Sequence, residues 1–137
     1  MNPAYSVIVF TTASGAGYGL LAWLAFWDLL GSSEGLDDVF AAGLVIALVL
    51  ISGGLLSSTF HLGRPERAWR ALSQWRTSWL SREGILALAT YPPAGVLLLE
   101  WALDVDLGVW AFWTPLLAVI AALGTMWCTG MIYASLP

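Results

Sequence analysis

The hydrophobic pattern of this protein consists of four long uncharged runs separated by short polar connections. The runs extend from Ser6 to Trp27, from Val39 to Phe60, from Gly84 to Leu99 and from Leu107 to Pro137. A helix needs about 20 apolar residues to cross the hydrocarbon core of a bilayer. We therefore predict an all-α polytopic membrane protein, a single bundle of four transmembrane helices at about residues 6–30, 39–60, 82–103 and 108–133.

The composition agrees with a membrane protein. Hydrophobic residues make up 59% of the chain and charged residues 10%, whereas charged residues are about 25% of an ordinary soluble domain. No basic residue precedes the first run and three more runs follow it. A retained helix is therefore predicted there rather than a cleavable signal peptide.

The charges are segregated along the chain. The segment from His61 to Glu83 holds the one histidine, all five arginines and two glutamates, for a formal charge of +3, and seven acidic residues with no basic one lie outside it. Lysine and arginine in short loops are retained on the cytoplasmic side, so this segment and both termini are predicted to be cytoplasmic. The basic patch is a small loop beside the membrane, and nucleic acid is not expected as a partner.

The connection between the second and third runs has an amphipathic pattern. Gly63 can end the second helix, and Pro65 suits the first turn of a new one. At helical spacing this segment has two different sides. The apolar side is formed by Ala68, Leu72, Trp75 and Trp79, and the opposite side by Arg64, Arg67 and Arg70. This pattern predicts a short interfacial helix between helices 2 and 3, in contact with membrane lipid.

Two glycines in the first run stand four residues apart. Gly15 and Gly19 form a GxxxG step, a spacing that lets two helices approach closely in lipid. Helix packing is the favoured interpretation, and a glycine-lined ligand cleft is the alternative.

The polar residues that could carry chemistry are His61, where the second helix leaves the membrane, and Glu83, where the third enters it. A neutral imidazole can bind a quinol hydroxyl and accept its proton, and a carboxylate can pass that proton to water. Interfacial residues that merely anchor helix ends are the alternative. One cysteine, Cys128, and one histidine are too few for an iron–sulfur cluster or a haem with two axial histidines, and no metal site is expected.

Three strings resemble a known family. HLGRPERAW and RTSWLSRE in the basic segment, and IYASL after the fourth run, are similar to the membrane anchor subunit of dimethyl sulfoxide reductase and its relatives. These relatives include the anchor of a quinone-linked sulfite dehydrogenase, which the RTSWLSRE version resembles more. The resemblance extends over the whole sequence, but the family usually has eight membrane helices and this sequence resembles the first four.

The resemblance implies a location in the bacterial inner membrane and a role in electron transfer. Such anchors carry no haem and no cluster; they bind a quinone, menaquinone or ubiquinone, beside an iron–sulfur, ferredoxin-like subunit that connects to a molybdopterin catalytic subunit. The quinone-site residues of the family match His61 and Glu83. The resemblance places Arg64, Arg67 and Arg82 near the surface on which the partner docks.

We therefore expect a non-catalytic anchor and quinone-reactive subunit of a molybdopterin oxidoreductase complex, favoured as quinone-reducing and sulfite dehydrogenase-like. A menaquinol-oxidising anchor of the dimethyl sulfoxide reductase type and a passive tether with no quinone site are the alternatives. A small transporter is disfavoured because the middle of the runs lacks charge and no internal repeat is evident.

Overall fold

The computed structural model describes residues 5–32, 35–59 and 65–135. Its four α-helices are α1 (Tyr5–Leu29), α2 (Asp37–Thr59), α3 (Trp79–Leu103) and α4 (Trp110–Ala134). All four are long and apolar enough to cross a membrane. The predicted all-α fold with four transmembrane helices is confirmed, and no strand occurs among the described residues.

The helices form a closed up-and-down ring in which each helix packs against two others: α1 on α2, α2 on α3, α3 on α4, and α4 back on α1. At one end of the bundle, the C-terminus of α1 contacts the C-terminus of α3, where Trp101 Nε1 donates a hydrogen bond to Asp28 Oδ1 at 3.3 Å. Phe40, near the start of α2, packs edge-on against Trp101 with ring centroids 5.2 Å apart. We call this the acidic end, and the opposite end, where α2 and α4 finish and α3 begins, the basic end.

Small residues hold the helices together. From Glu83 onwards, the buried positions of α3 repeat every three or four residues and so share one face, in the order Glu83, Ala87, Thr90, Ala94, Leu97 and Trp101. The buried positions of α4 include Thr114, Ala118, Ala122, Thr125 and Cys128. Alanine and threonine let two backbones approach closely in lipid, where the hydrophobic effect does not drive helix association.

The close approach of α1 and α2 depends on two other glycines than those of the GxxxG step. A Cβ atom on Gly17 would lie 2.7 Å from the carbonyl oxygen of Ala47, and one on Gly54 would lie 2.8 Å from the backbone nitrogen of Ser14. A Cβ on Gly15 or Gly19 would meet nothing within 4 Å. The prediction that Gly15 and Gly19 form the packing contact is therefore wrong, because the helix face in contact is the one that carries Gly17.

The predicted short interfacial helix is not supported. Residues Pro65–Gln74 form a 3₁₀ helix, and a turn over 75–77 separates it from α3. A 3₁₀ helix has three residues per turn, so the wheel of 3.6 residues per turn that defined one apolar side does not apply. Leu72 instead packs on the start of α3, where its Cδ2 atom lies 2.9 Å from the position of a Cβ on Gly84.

Candidate functional site

Glu83 lies inside the bundle at its basic end. Ser78 caps α3 by accepting a hydrogen bond from the backbone N–H of Ser81 at 3.4 Å, and α3 begins at Trp79. Glu83 is then about one turn into the helix, on the inward face. Its side chain is only 4% exposed. A buried carboxyl group needs a hydrogen-bond partner or a proton, since burial of an unpaired charge is costly.

The partner of this carboxyl group comes from α4. The hydroxyl of Thr129 donates to Oε1 of Glu83 and also lies 3.1 Å from the carbonyl oxygen of Thr125. A hydroxyl has one proton and two lone pairs, so it can donate to only one of these oxygens at a time. When Thr129 donates to Thr125, the contact with Glu83 requires a proton on the carboxyl group. The pair can therefore hold Glu83 either charged or neutral by turning one hydroxyl.

Three further hydroxyls lie deeper in the bundle, between Glu83 and its middle. Tyr18 on α1 is 3% exposed, its hydroxyl has no hydrogen-bond partner among the described residues, and it is within electrostatic reach of Tyr91 and Glu83. Tyr91 on α3 and Ser52 on α2 share a hydrogen bond of 2.8 Å. The interior beside Glu83 is thus polar, although it carries no second charge among the described side chains.

His61 and Arg64 lie outside the described residues. The described part of α2 ends at Thr59, at the same end of the bundle as Glu83. The meeting of His61 with Glu83 stays a prediction, because the structure describes only the carboxyl side of the pair.

The arginines at the basic end are supported by tryptophans. The Arg82 guanidinium lies 4.3 Å from the ring centroid of Trp79 and donates to the carbonyl oxygens of Trp75 and Arg76 at 2.9 and 2.8 Å. Arg82 therefore fixes the turn that precedes α3. Two others stack on the preceding tryptophans at 5.5 and 5.3 Å and are exposed, Arg70 on Trp69 and Arg76 on Trp75. Arg67 lies in the 3₁₀ helix, of which the structure describes the backbone but not this side chain.

The carboxylates at the acidic end form a separate group. Asp104 ends α3 in the left-handed conformation, with φ of 51°, and its backbone N–H bonds to the carbonyl oxygen of Glu100. One carboxyl oxygen of Glu100 is buried without a partner among the described residues. Within the described part of the chain, no three histidine, cysteine, aspartate or glutamate side chains are placed to hold a metal ion.

Sequence reasoning identified Glu83 but missed Thr129 and Tyr18. Nothing local distinguishes Thr129 from a threonine that bonds back to its own helix, as Thr125 does to the carbonyl oxygen of Ala121 at 2.8 Å. One signal was available, because Thr125 and Thr129 stand four residues apart on one face at the end of the fourth run that lies beside the start of the third. Tyr18 gave no signal of its own.

Comparison with known proteins identifies the family. A family described as "DMSO reductase anchor subunit (DmsC)" matches residues 1–136. The chain belongs to this DmsC family. Recognition of the family from the three strings in the sequence is therefore confirmed. Together with four helices that can cross a membrane, membership of a membrane-anchor family makes the DmsC-type chain an integral membrane protein.

Two relatives of this DmsC-family protein are a sulfite dehydrogenase subunit and a polysulfide reductase chain. A sulfite dehydrogenase subunit of Allochromatium vinosum is 43% identical over an alignment 152 residues long, which includes 98% of this chain and 46% of the relative. A polysulfide reductase chain of Wolinella succinogenes is 31% identical over 114 residues, covering 81% of this chain and 36% of the relative. The DmsC-type chain thus spans less than half the length of either relative. No solved structure matches it.

Proposed function

We propose that this chain is the quinone-reactive membrane anchor of a molybdopterin iron–sulfur oxidoreductase, with Glu83 as the proton-exchanging group of the quinone site. The observation that carries the proposal is the carboxyl group of Glu83, 4% exposed and hydrogen-bonded to Thr129 across two helices. An ionisable group inside a membrane bundle is costly, and such groups usually serve a function.

Reduction of a quinone to the quinol takes up two electrons and two protons. We assign the electrons to an iron–sulfur centre of a partner subunit, and the protons to water at the basic end. Glu83 holds one proton next to the site, and Thr129 turns its hydroxyl to stabilise the carboxyl group in both states. His61, in the segment that follows α2, is the proposed hydrogen-bond partner of the quinone oxygen.

The partner surface is the basic end. Arg70 and Arg76 are exposed there. Arg82 stabilises the backbone of this surface, because it stacks on Trp79 and donates hydrogen bonds to the turn before α3. A ferredoxin-like iron–sulfur subunit docked on this face would place a cluster near Glu83, with the molybdopterin subunit beyond it. Arg64, Arg67 and Arg82 are the proposed docking residues.

The cytoplasmic side is proposed for the basic end, since arginines in short loops stay there. Cys128 is 4% exposed, so a cysteine placed at Ser73 would report on this end with little background. Labelling of that cysteine by an impermeant maleimide in intact cells would overturn the sidedness. The direction of electron flow is proposed as quinone-reducing, because the sulfite dehydrogenase relative is 43% identical and the polysulfide reductase relative 31%.

The test uses membranes that contain the assembled complex and compares Glu83→Gln with Glu100→Gln. Both variants replace a carboxyl group of α3 by an amide of the same size, one at each end of the helix. Glu83→Gln is expected to lower quinone-linked turnover at least about 10²-fold, the contribution of a positioned proton-transfer group. Turnover with an artificial dye that bypasses the anchor should stay at the wild-type rate.

The control, Glu100→Gln, should leave both rates unchanged. If Glu83→Gln supports normal quinone-linked turnover, Glu83 has no role in proton exchange. Quinone then exchanges its protons through another group of the complex, and the proposed role of Glu83 is refuted.

A further inference from the structure

A groove of about 470 Å³ lies between α2 and α3. Its lining is apolar except for Ser52, whose hydroxyl shares a hydrogen bond of 2.8 Å with Tyr91 on α3. Val49 and Leu56, on the wall formed by α2, are 64% and 63% exposed. The groove therefore opens on the lipid-facing side of the bundle.

The groove has the length and the position of one leaflet of a bilayer. From Val45 to Leu56 it extends about 16 Å along α2, at 1.5 Å per residue. This is close to half of a hydrocarbon core about 30 Å thick. Val45 lies near the middle of α2 and Leu56 in its last turn. An acyl chain that descends from the basic end to the middle of the membrane would follow the groove along its whole length.

The 3₁₀ helix lies above the mouth of this groove. Gly84, Tyr91 and Leu98 are spaced seven residues apart and so share one face of α3. Leu98 lines the groove, and Tyr91 bonds to Ser52 on α2. Gly84 meets Leu72 of the 3₁₀ helix. The face of α3 that borders the groove is therefore the face on which the arginine-bearing segment packs at the basic end.

Two exposed arginines belong to that segment. Arg70 in the 3₁₀ helix stacks on Trp69, and Arg76 in the turn before α3 stacks on Trp75. Stacking covers a face of the guanidinium, whereas its five N–H donors lie in the plane and suit the oxygens of a phosphate. Tryptophan is enriched at the head-group layer, and basic pockets between membrane helices bind anionic head groups. Positive charge above an apolar groove is complementary to an anionic amphiphile.

We propose that the α2–α3 groove binds one phospholipid with an anionic head group: an acyl chain lies along α2 at Gly53, and Arg70 and Arg76 bind the phosphate. The lipid contacts α2, α3 and the 3₁₀ helix together. The site does not include Glu83 or the proposed docking residues of the partner subunit, so it is independent of the quinone chemistry.

The test measures the binding of added lipids to the assembled, delipidated complex in detergent by native mass spectrometry. Dioleoyl phosphatidylglycerol is the anionic probe, and dioleoyl phosphatidylcholine has the same chains on a zwitterionic head group. Dihexanoyl phosphatidylglycerol has the anionic head group on chains too short to fill the groove. The wild type should bind dioleoyl phosphatidylglycerol at least about tenfold more tightly than dioleoyl phosphatidylcholine.

The groove is tested with Gly53→Leu, because a Cβ at Gly53 meets nothing within 4 Å and leucine extends into the space for the chain. Its Kd for dioleoyl phosphatidylglycerol should rise about tenfold, the contribution of about two buried methylene groups. Its Kd for the dihexanoyl lipid should stay unchanged. Gly19→Leu is the matched control, since a Cβ there also meets nothing and Gly19 lies between α1 and α4. It should match the wild type for both lipids.

The head-group site is tested with the double variant Arg70→Gln, Arg76→Gln. Its Kd for both phosphatidylglycerols should rise roughly 30-fold, since each basic residue near an anionic lipid surface contributes about a fivefold factor in affinity. Its Kd for phosphatidylcholine should stay unchanged. The variant with lysine at both positions keeps the charge and should recover most of the affinity.

The proposal requires both effects. A wild-type Kd for dioleoyl phosphatidylglycerol in either Gly53→Leu or the double glutamine variant would overturn it, as would equal affinity of the wild type for the two head groups. If the double variant loses the iron–sulfur subunit and keeps its lipid affinity, these arginines bind the partner protein instead. If Gly53→Leu releases another subunit or separates two copies of the complex, a protein helix occupies the groove, and the proposal falls.

Discussion

The hydroxyl of Thr129 on α4 donates a hydrogen bond to the carboxyl group of Glu83 on α3. This contact joins two helix termini at the basic end, inside a bundle whose other buried positions are mostly alanine, leucine and threonine. The residues belong to the third and fourth helices and are far apart in sequence. The proton chemistry proposed for the chain depends on this pair.

Thr129→Val keeps the size and branching of threonine but removes the hydroxyl. Quinone-linked turnover is expected to fall roughly 10- to 150-fold, because a hydrogen bond to a charged group contributes roughly 1.5–3 kcal/mol. Thr129→Ser restores the hydroxyl and should recover most of the rate. Equal losses in both variants would point to packing rather than to the hydrogen bond, and dye-linked turnover serves as the control for assembly.

His61 and Glu83 are predicted to act as one site. His61→Asn alone should lower quinone-linked turnover about as much as Glu83→Gln, on the order of 10²-fold. Residues that act as a unit are non-additive, so the double variant should be no slower than the slower single variant. If the loss of steady-state rate in the double variant equals the product of the two single losses, the two residues serve independent steps.

The stability of the bundle should depend on Gly17. Gly17→Ala places a Cβ 2.7 Å from the carbonyl oxygen of Ala47, and such overpacking costs about 1–3 kcal/mol. Gly15→Ala adds the same methyl group to the same helix with nothing within 4 Å. Unfolding in mixed detergent micelles should show a loss for Gly17→Ala only; equal stability of the two variants would contradict the packing described for α1 and α2.

Arg82 should control the turn before α3. Its bonds to the carbonyl oxygens of Trp75 and Arg76 are lost in Arg82→Ala, and chymotryptic cleavage after Trp75 should become roughly fivefold faster, the equivalent of about 1 kcal/mol of local stability. Arg70→Ala removes an exposed arginine that stacks on Trp69 and is the control. The cleavage is followed by gel electrophoresis. If Arg82→Ala, Arg70→Ala and the wild type are cleaved at the same rate, Arg82 does not fix the turn.

The sequence predicted the four helices because hydrophobic length alone decides whether a segment can cross a bilayer. It also predicted the separation of charge between the two ends of the bundle, since Arg70, Arg76 and Arg82 lie at one end and Asp28, Asp37 and Asp104 at the other. Glu83 was identified because it is an ionisable residue where the third helix enters the membrane. Its place on the inward face of α3, in line with Ala87, Thr90 and Ala94, is a finding of the structure.

Features that depend on contacts between helices could not be predicted in this way. Gly15 and Gly19 have the GxxxG spacing, but the rotation of α1 that turns Gly17 towards Ala47 is decided by the partner helix. Likewise, the spacing from Ala68 to Trp79 assumed 3.6 residues per turn, whereas the backbone winds more tightly and Leu72 packs on α3 at Gly84. Thr129 belongs to the candidate site only because α3 places Glu83 beside it.

In the proposed function, electrons pass between an iron–sulfur cluster of the partner subunit and a quinone at the Glu83 end of this chain. The most direct test reduces the clusters of the assembled complex with the substrate of the catalytic subunit, adds a quinone, and follows reoxidation of the clusters by electron paramagnetic resonance. The wild type should reoxidise rapidly and Glu83→Gln at least about 10²-fold more slowly, with equal reduction of the clusters by substrate in both. Reoxidation of the Glu83→Gln clusters at the wild-type rate would show that Glu83 takes no part in the reduction of the quinone.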